Sequence, residues 1–515
     1  MSLHASSLLP FSSIPCHLTN NSSSSLQEVA PLAYSFIGPY FLNPYYARYA
    51  EALNLAAGQL LDEADSDNYA TGSAVAHQNE PYQLVRAKNV GMTAVLLFAR
   101  DPSKITQIEE AECGFGAADM GNKGAVGLRV TWSDGKGNNI HDEEAKTAEL
   151  TFVATHLAAM EWNLKKRNAN WRSIVSGLTF ANPRDVLPEG EFPVEDRSRG
   201  PTPDRSGAGD TAPPPTTRGQ DSSSTGDHDD TDLAYGDDES DAQPLLSSGN
   251  SKSNASALQS ISIFKPSTHL FLAGDLNYRI NTTTPPPLAT YPSFDPSSPN
   301  HFSQFLPRDQ LTQERLAGRT MHGLSEAPIT FGPTYKYDVH PLTGEAVNEE
   351  AVRQKRKING VEEVPWRFAS HRWPGWCDRV LYLDTPSWIT STKPERKVEV
   401  QSYDSLPVVE TSDHRPVFFR AKVPVLGREE MEVPSAADQD LDLGMLEEVQ
   451  EWRKDPRLKL PVPVDVHAWE RRAAARRKEV VVGWTAFLWS TKEGALVLAT
   501  LLVMGVGSWW FLRDW

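Results

Sequence analysis

Three short strings in this chain hold residue types that can move a proton or grip a phosphate. GDLNYR (Gly274–Arg279) follows an apolar run, His269–Ala273, and sets Asp275 and Asn277 two residues apart. At a strand end that spacing points both side chains to one face, where a carboxylate and an amide can orient a water and hold a phosphate oxygen. TSDHRPV (Thr411–Val417) places Asp413 beside His414 ahead of another apolar run. That pairing suits general acid–base work or polarisation of a phosphoryl oxygen. HLAAM (His156–Met160) closes a third apolar run with a His, and Glu28 stands within Leu26–Val29. Singly, each also has an ordinary reading: structural turn, capped turn, packed His, helix-start acid.

The elements that must position these residues are mostly strands. Tyr82–Lys88, Met92–Ala99, Gly124–Trp132 and Glu149–Leu157 are short apolar runs separated by turn residues, and His269–Asn277, Asp378–Leu383, Val398–Tyr403 and Pro416–Val423 repeat the texture. Helices are predicted at Pro44–Ala57, about 161–180, and Arg308–Leu316. Between the two sets, residues 184–257 are Ser, Gly, Pro, Thr and Asp, with eleven acids against two arginines in 201–250. Such a segment buries too little apolar surface to offset chain entropy and is predicted to be a disordered insertion. Strands from both sides of it then belong to one α+β domain.

Composition narrows the function classes. A net charge of -17 argues against a general nucleic-acid binder, so no nucleic-acid partner is expected. Three cysteines (Cys16, Cys113, Cys377), none in a CxxC pair, argue against a disulfide framework or a structural zinc site.

Taken together and in this order, Glu28, His156, Asp275-x-Asn277 and Asp413-His414 resemble the endonuclease/exonuclease/phosphatase superfamily. GNKGAVGLRV (Gly121–Val130), PTYKYD (Pro333–Asp338), WPGWCDRVLY (Trp373–Tyr382), RNANW (Arg167–Trp171) and RDQL (Arg308–Leu311) resemble signatures of its inositol polyphosphate 5-phosphatase branch. The resemblance implies a four-layered α/β sandwich of the DNase I-like type spanning 26–423, interrupted by the insertion. It implies Mg²⁺-dependent hydrolysis of the 5-phosphate of phosphatidylinositol 4,5-bisphosphate or a related inositol polyphosphate, by in-line attack of water.

Carried over residue by residue, it implies that Glu28 ligates Mg²⁺ and that Asp275 orients or deprotonates the water. Asn277 then holds the water or the phosphoryl group, His156 and His414 donate to the scissile phosphate, and Asp413 fixes the geometry. Tyr335, Lys336 and Arg372 would clamp the neighbouring 4-phosphate, with Asn122 and Lys123 approaching the site and Gly121 and Gly124 allowing tight backbone. Cys377 reads as a packed core residue. The PTYKYD and WCDR strings separate this reading from a nuclease or sphingomyelinase of the same superfamily; a non-catalytic lipid-binding or scaffold protein is the other alternative.

Three departures accompany the resemblance. Ser370, with His371 beside it, stands where relatives often carry a Lys, and Met160 where they often carry a second His. Relatives also open with a strand bearing a Trp-Asn pair whose Asn helps bind Mg²⁺. The twenty-seven residues before Glu28 contain no Trp and read as Ser-rich coil, Asn20 and Asn21 lying too close to Glu28 for that role. The expectation is that this strand and ligand are lacking or that the N-terminus is incompletely represented.

Beyond the domain, 424–479 reads as a linker with a basic juxtamembrane stretch, ERRAAARRK (Glu470–Lys478), and Val480–Trp489 as an interfacial segment. Gly494–Leu512 is nineteen residues without a charge, long enough to span a hydrocarbon core of about 30 Å, with Trp509 and Trp510 near its far end. These features predict a tail-anchored protein whose catalytic domain faces the cytosol, in the endoplasmic reticulum membrane, with membrane lipid favoured over a soluble inositol phosphate as substrate.

Overall fold

Thr93–Ala99 (TAVLLFA) is buried along its whole length, so both of its faces must be covered and both of its edges paired. A computed structural model describes residues 21–66, 81–135, 146–187, 251–339, 364–432 and 454–513. In it that strand, β3, is the centre of a three-stranded antiparallel sheet between β1 (Asn21–Leu26) and β2 (Gln83–Val90). A second sheet has six strands in the order β4 (Ile105–Gly114), β5 (Gly124–Ser133), β6 (Thr147–His156), β7 (Thr268–Asp275), β11 (Asp378–Leu383) and β8 (Leu324–Ser325). All its pairs are antiparallel except β6 with β7. Short strands β9 (Tyr337–Asp338) and β10 (Arg367–Phe368) pair, as do β12 (Glu399–Ser405) and β13 (Val417–Lys422).

Strand alternation builds the layers. Val95 and Leu97 of β3 point inward and pack with Val126, Leu128, Val130 and Ala154 of the second sheet. Ala94, Leu96 and Phe98 point outward, where α1 (Leu32–Ile37) leads into α2 (Pro39–Ser66), and Leu42 and Tyr46 of α2 cover them. On the far side, Trp171, Ile174 and Val175 of α3 (Leu164–Gly177) cover Leu270 and Leu272 of β7. The result is the expected four-layered α/β sandwich. β12 and β13 extend the inner layer, the Phe419 ring lying tilted 6.2 Å from that of Phe271.

Several sequence expectations change. The Ser-rich residues before Glu28 were expected as coil, but Asn21–Leu26 pairs residue by residue with β3. Serines on both faces give no hydrophobic alternation, so the backbone ladder to a buried neighbour decides the conformation. β4 escaped prediction because acids at Glu109, Glu110 and Glu112 interrupt its apolar pattern.

The insertion is narrower than 184–257. Pro183–Val186 is a helical turn and Ser251–Ile261, α4, is a helix whose Gln259 donates to Pro456 O; residues 188–250 lie outside the described residues. Of the expected linker, 433–453 lie outside them too, but 468–479 belong to a packed helix, α6 (Ala468–Ser490). The expected interfacial stretch is the second half of this helix. Phe487 is buried against Tyr34, Phe41 and Trp484, with ring centroids 5.7–6.2 Å apart. Two of its five basic residues turn to the protein: Arg472 pairs with Glu112 and Glu479, and Arg476 donates to Phe36 O and Ile37 O, while Arg471, Arg477 and Lys478 are exposed. After Thr491 comes α7 (Lys492–Arg513), the one described helix long and apolar enough to cross a membrane, buried only at Gly494.

Candidate active site

Strand register assembles the site. Gly124, His156, Asp275 and Asp378 occupy matched positions on β5, β6, β7 and β11, each paired with the next. Four elements scattered over the sequence therefore end or begin at one edge of the sheet. Lys123 precedes β5, and its Nζ lies 2.8 Å from His156 Nε2, which is 3.2 Å from Asp275 Oδ2. The GNKG turn comes this close because its glycines lack side chains: a Cβ on Gly124 would meet Cys113 O at 2.8 Å and Val90 Cγ1 at 2.9 Å.

Asp275 is the most heavily bonded member. The Asn277 backbone N–H donates to its Oδ1 at 2.9 Å and Asn277 Nδ2 to its Oδ2 at 2.8 Å. Asn277 adopts a positive φ of 55°, common for Asn in tight turns, and Arg279 donates to its carbonyl and to its Oδ1. Burial opposes ionisation of Asp275. The hydrogen bond and charge of His156, then the charges of His414 and Arg279, outweigh it and hold the carboxyl well below the ordinary range. Burial, then the Lys123 cation, pull the His156 imidazole below its ordinary value. A buried ionised carboxylate next to a neutral imidazole can accept a proton from water.

His414 enters from a separate segment, forming an isolated bridge with Tyr335. Its Nδ1 lies 2.8 Å from Asp378 Oδ2, an oxygen that also accepts from Thr334 Oγ1 at 2.7 Å. Burial disfavours the imidazolium, but the charge and hydrogen bond of Asp378, backed by Asp275 and Asp413, raise it to about 9. His414 is thus a cationic donor at neutral pH. Asp413, expected to fix the geometry of the site, pairs with Lys336 Nζ at 2.9 Å.

Two residues of the cluster were not singled out from sequence. Asp378 sits inside the WCDR string, one residue past Cys377, and opening a strand with an acid was the available signal. Arg279 lies over the Tyr335 ring at 4.3 Å and directs the Asn277 amide. Cys377 is fully buried, and burial pushes its thiol well above the ordinary value, which fits the packed reading. Cys16 lies outside the described residues.

The remaining expected residues are placed less uniformly. Lys336 stays cationic beside Asp413, the Tyr335 ring lies tilted 4.6 Å from the His414 ring, and Arg372 Nε lies 3.8 Å from the buried Glu161. Arg372 also donates to Met160 Sδ, so the departure at Met160 forms part of its support. Asn122 turns back against Gly116. Glu28 is exposed with φ 52°, and its charge acts on His156. Ligand atoms of Asp275, Asp378 and His414 lie within 4.8 Å of one another. The two carboxylates, with Glu28 near His156, offer the hard oxygen donors that Mg²⁺ or Ca²⁺ prefers, whereas the imidazolium of His414 is a poor ligand.

The Endonuclease/Exonuclease/phosphatase family 2 matches residues 22–420, most of the chain. The chain belongs to the endonuclease/exonuclease/phosphatase family. Type I inositol polyphosphate 5-phosphatase 13 of Arabidopsis thaliana is 26% identical over 355 residues, 68% of this chain and 24% of that protein. Polyphosphatidylinositol phosphatase INP53 of Saccharomyces cerevisiae is 24% identical over 382 residues, 72% of this chain and 23% of its own. The chain spans about a quarter of the length of these relatives. A solved inositol polyphosphate 5-phosphatase domain of SPsynaptojanin, in complex with inositol (1,4)-bisphosphate and calcium, aligns over 90% of this chain and 84% of that one, with TM-score 0.42 and 19% identity. Helices α6 and α7 lie beyond the matched residues.

Proposed function

We propose that this family member hydrolyses the 5-phosphate of an inositol polyphosphate or phosphoinositide, with water as the nucleophile and Mg²⁺ as the cation. The observation that carries the reading is the row His156–Asp275–Asp378 capped by the His414 imidazolium. Asp275 orients the attacking water and takes its proton, while Asn277 holds the water in line. His414 donates to the phosphoryl oxygens as their charge grows, which a pre-oriented cation does without reorganising solvent. Lys123, Lys336 and Arg372 bring three cations to one region, as a substrate with more than one phosphate requires. Glu28 would hold the Mg²⁺, which would supply charge compensation at the leaving oxygen. The names of the relatives above support the 5-position and the inositol ring.

The same proposal extends to location. Helix α7 anchors the protein in a membrane, its domain on the cytosolic side of the endoplasmic reticulum, so the nearest substrate is a lipid such as phosphatidylinositol 4,5-bisphosphate. The test is Mg²⁺-dependent phosphate release from a short-chain 4,5-bisphosphorylated phosphoinositide. Wild type should release phosphate and Asp275→Ala should not; equal release by the two would sink the assigned mechanism.

A further inference from the structure

Glu479 lies on α6, fifty-nine residues past the end of the family match, yet it is fully buried. Its Oε1 accepts the backbone N–H of Gly121 at 2.8 Å. Arg472 and Arg476 neutralise it, and Arg472 also pairs with Glu112 on β4. The two acids and two arginines cancel in charge, so this group adds little field at the site. Its contribution is geometric.

Gly121 opens the turn that carries Asn122 and Lys123. Its carbonyl accepts from Met92 N–H at 3.3 Å, and Met92 O accepts from Val29 N–H at 3.1 Å. Val29 follows Glu28. Two residues downstream, Lys123 O accepts from Phe115 N–H at 3.0 Å, while Lys123 Nζ reaches His156. The backbones here are in direct contact: a Cβ on Gly121 would meet Gly91 N at 2.7 Å and Val90 C at 2.9 Å. A single carboxylate thus begins a backbone relay, Glu479 to Gly121 to Met92 to Val29, that ends beside Glu28 and sets the height of Lys123.

We propose that Glu479 is a positioning residue for the active site, acting through Gly121 on Lys123 and Glu28. Only Thr491 separates its helix from α7, so the same contact ties the site to the candidate anchor. The kinetic consequence rests on the function proposed above; the relay itself does not.

Two variants of the full-length protein separate geometry from charge. Glu479→Gln keeps an acceptor for Gly121 N–H, and Glu479→Leu removes it. Hydrogen exchange of peptides covering residues 26–31, 89–93 and 118–124 reads the relay without substrate. Phosphate release gives kcat and KM separately. Glu479→Leu should speed exchange in all three peptides and lower kcat on the order of tenfold to a hundredfold, with KM little changed. Glu479→Gln should keep wild-type exchange there and most of kcat, even if its melting temperature falls. Should Glu479→Leu not fold, Gly121→Ala strikes the same relay at its second member and should give the same pattern. Wild-type exchange and kcat in Glu479→Leu, or in Gly121→Ala where that stands in, overturn the proposal. Loss in Glu479→Gln equal to that in Glu479→Leu also overturns it, since charge and not the hydrogen bond would then matter. A wild type that releases no phosphate overturns the proposed function alone, because the exchange pattern is still read.

Discussion

Asp275 and Asp378 face each other in register across β7 and β11, and the fold drives their carboxyls in opposite directions. Asp275 is held low by its hydrogen bonds and neighbouring cations despite burial. Asp378 is raised by burial; His414 offsets part of that, and the charge of Asp275 adds to it. Two buried carboxylates this close do not ionise independently, and the one with more donors ionises first. In the proposed mechanism that asymmetry leaves Asp275 to work on water, while Asp378 holds His414.

The division of labour predicts different kinetics for two neighbouring motifs. Asp378→Ala removes the partner that aims His414 and should lower kcat about a hundredfold. Asp413→Ala frees Lys336 instead and should act mainly on KM. Steady-state phosphate release by the two variants checks this, and a kcat loss confined to Asp413→Ala would reverse the assignment.

His269, on β7, gives the fold an acid-sensitive point. Burial, then the nearby Arg457 cation, lower its imidazole to about 4, against an unfolded value near 6.5. A base with a lowered folded value is neutral in the fold, so its stabilising contribution is full above about pH 6.5. It is lost as pH falls towards 4, where the unfolded chain takes up the proton first. The loss is on the order of 2–4 kcal/mol over that window. Urea unfolding at pH 7.5 and 4.5 should show it, and His269→Gln should flatten the difference.

Arg379 is fully buried between Asp309 and Glu326, making a bidentate contact with Glu326 at 2.6 Å on both sides and reaching Asp309 at 2.9 Å. Arg379→Met strands two buried acids and should cost about 3–5 kcal/mol. The double variant Arg379→Met/Glu326→Leu should recover part of it. Chemical denaturation measures both, and a single-variant loss below about 1 kcal/mol would mean the acids find other partners.

Removing α7 alone should separate anchoring from folding. A chain ending at residue 491 keeps Glu479 and the packed face of α6, so it should leave membranes during a carbonate wash while keeping its melting temperature. Ending the chain at residue 478 instead removes Glu479 and Phe487 and should lower that temperature by several degrees, since buried pairs and aromatic contacts are lost together. Full-length protein already soluble after the wash would remove the case for an anchor.

The chemistry was legible where it lies in contiguous strings. GDLNYR, TSDHRPV and HLAAM each carry a reactive residue against an apolar run, because a strand that ends at a site must hand its last residue to solvent or substrate. The apolar span Gly494–Leu512 was legible for a related reason: length and absence of charge are properties of one segment. Most strands and α3 followed from periodicity, which is also local.

What only the tertiary structure decided depends on partners far away in the chain. His156, Asp275 and Asp378 form a row because three strands pair at one register, and no local pattern encodes that pairing. Asp378, rather than the adjacent Asp413, holds His414, since side-chain direction follows the path of the backbone. Asn21–Leu26 is a strand because β3 offers it a ladder. The basic run of α6 looked like a membrane flank by composition, but Glu479 meets a turn 358 residues earlier. Charge count is a local property, whereas the burial that decides what a charge does comes from the packing of distant segments.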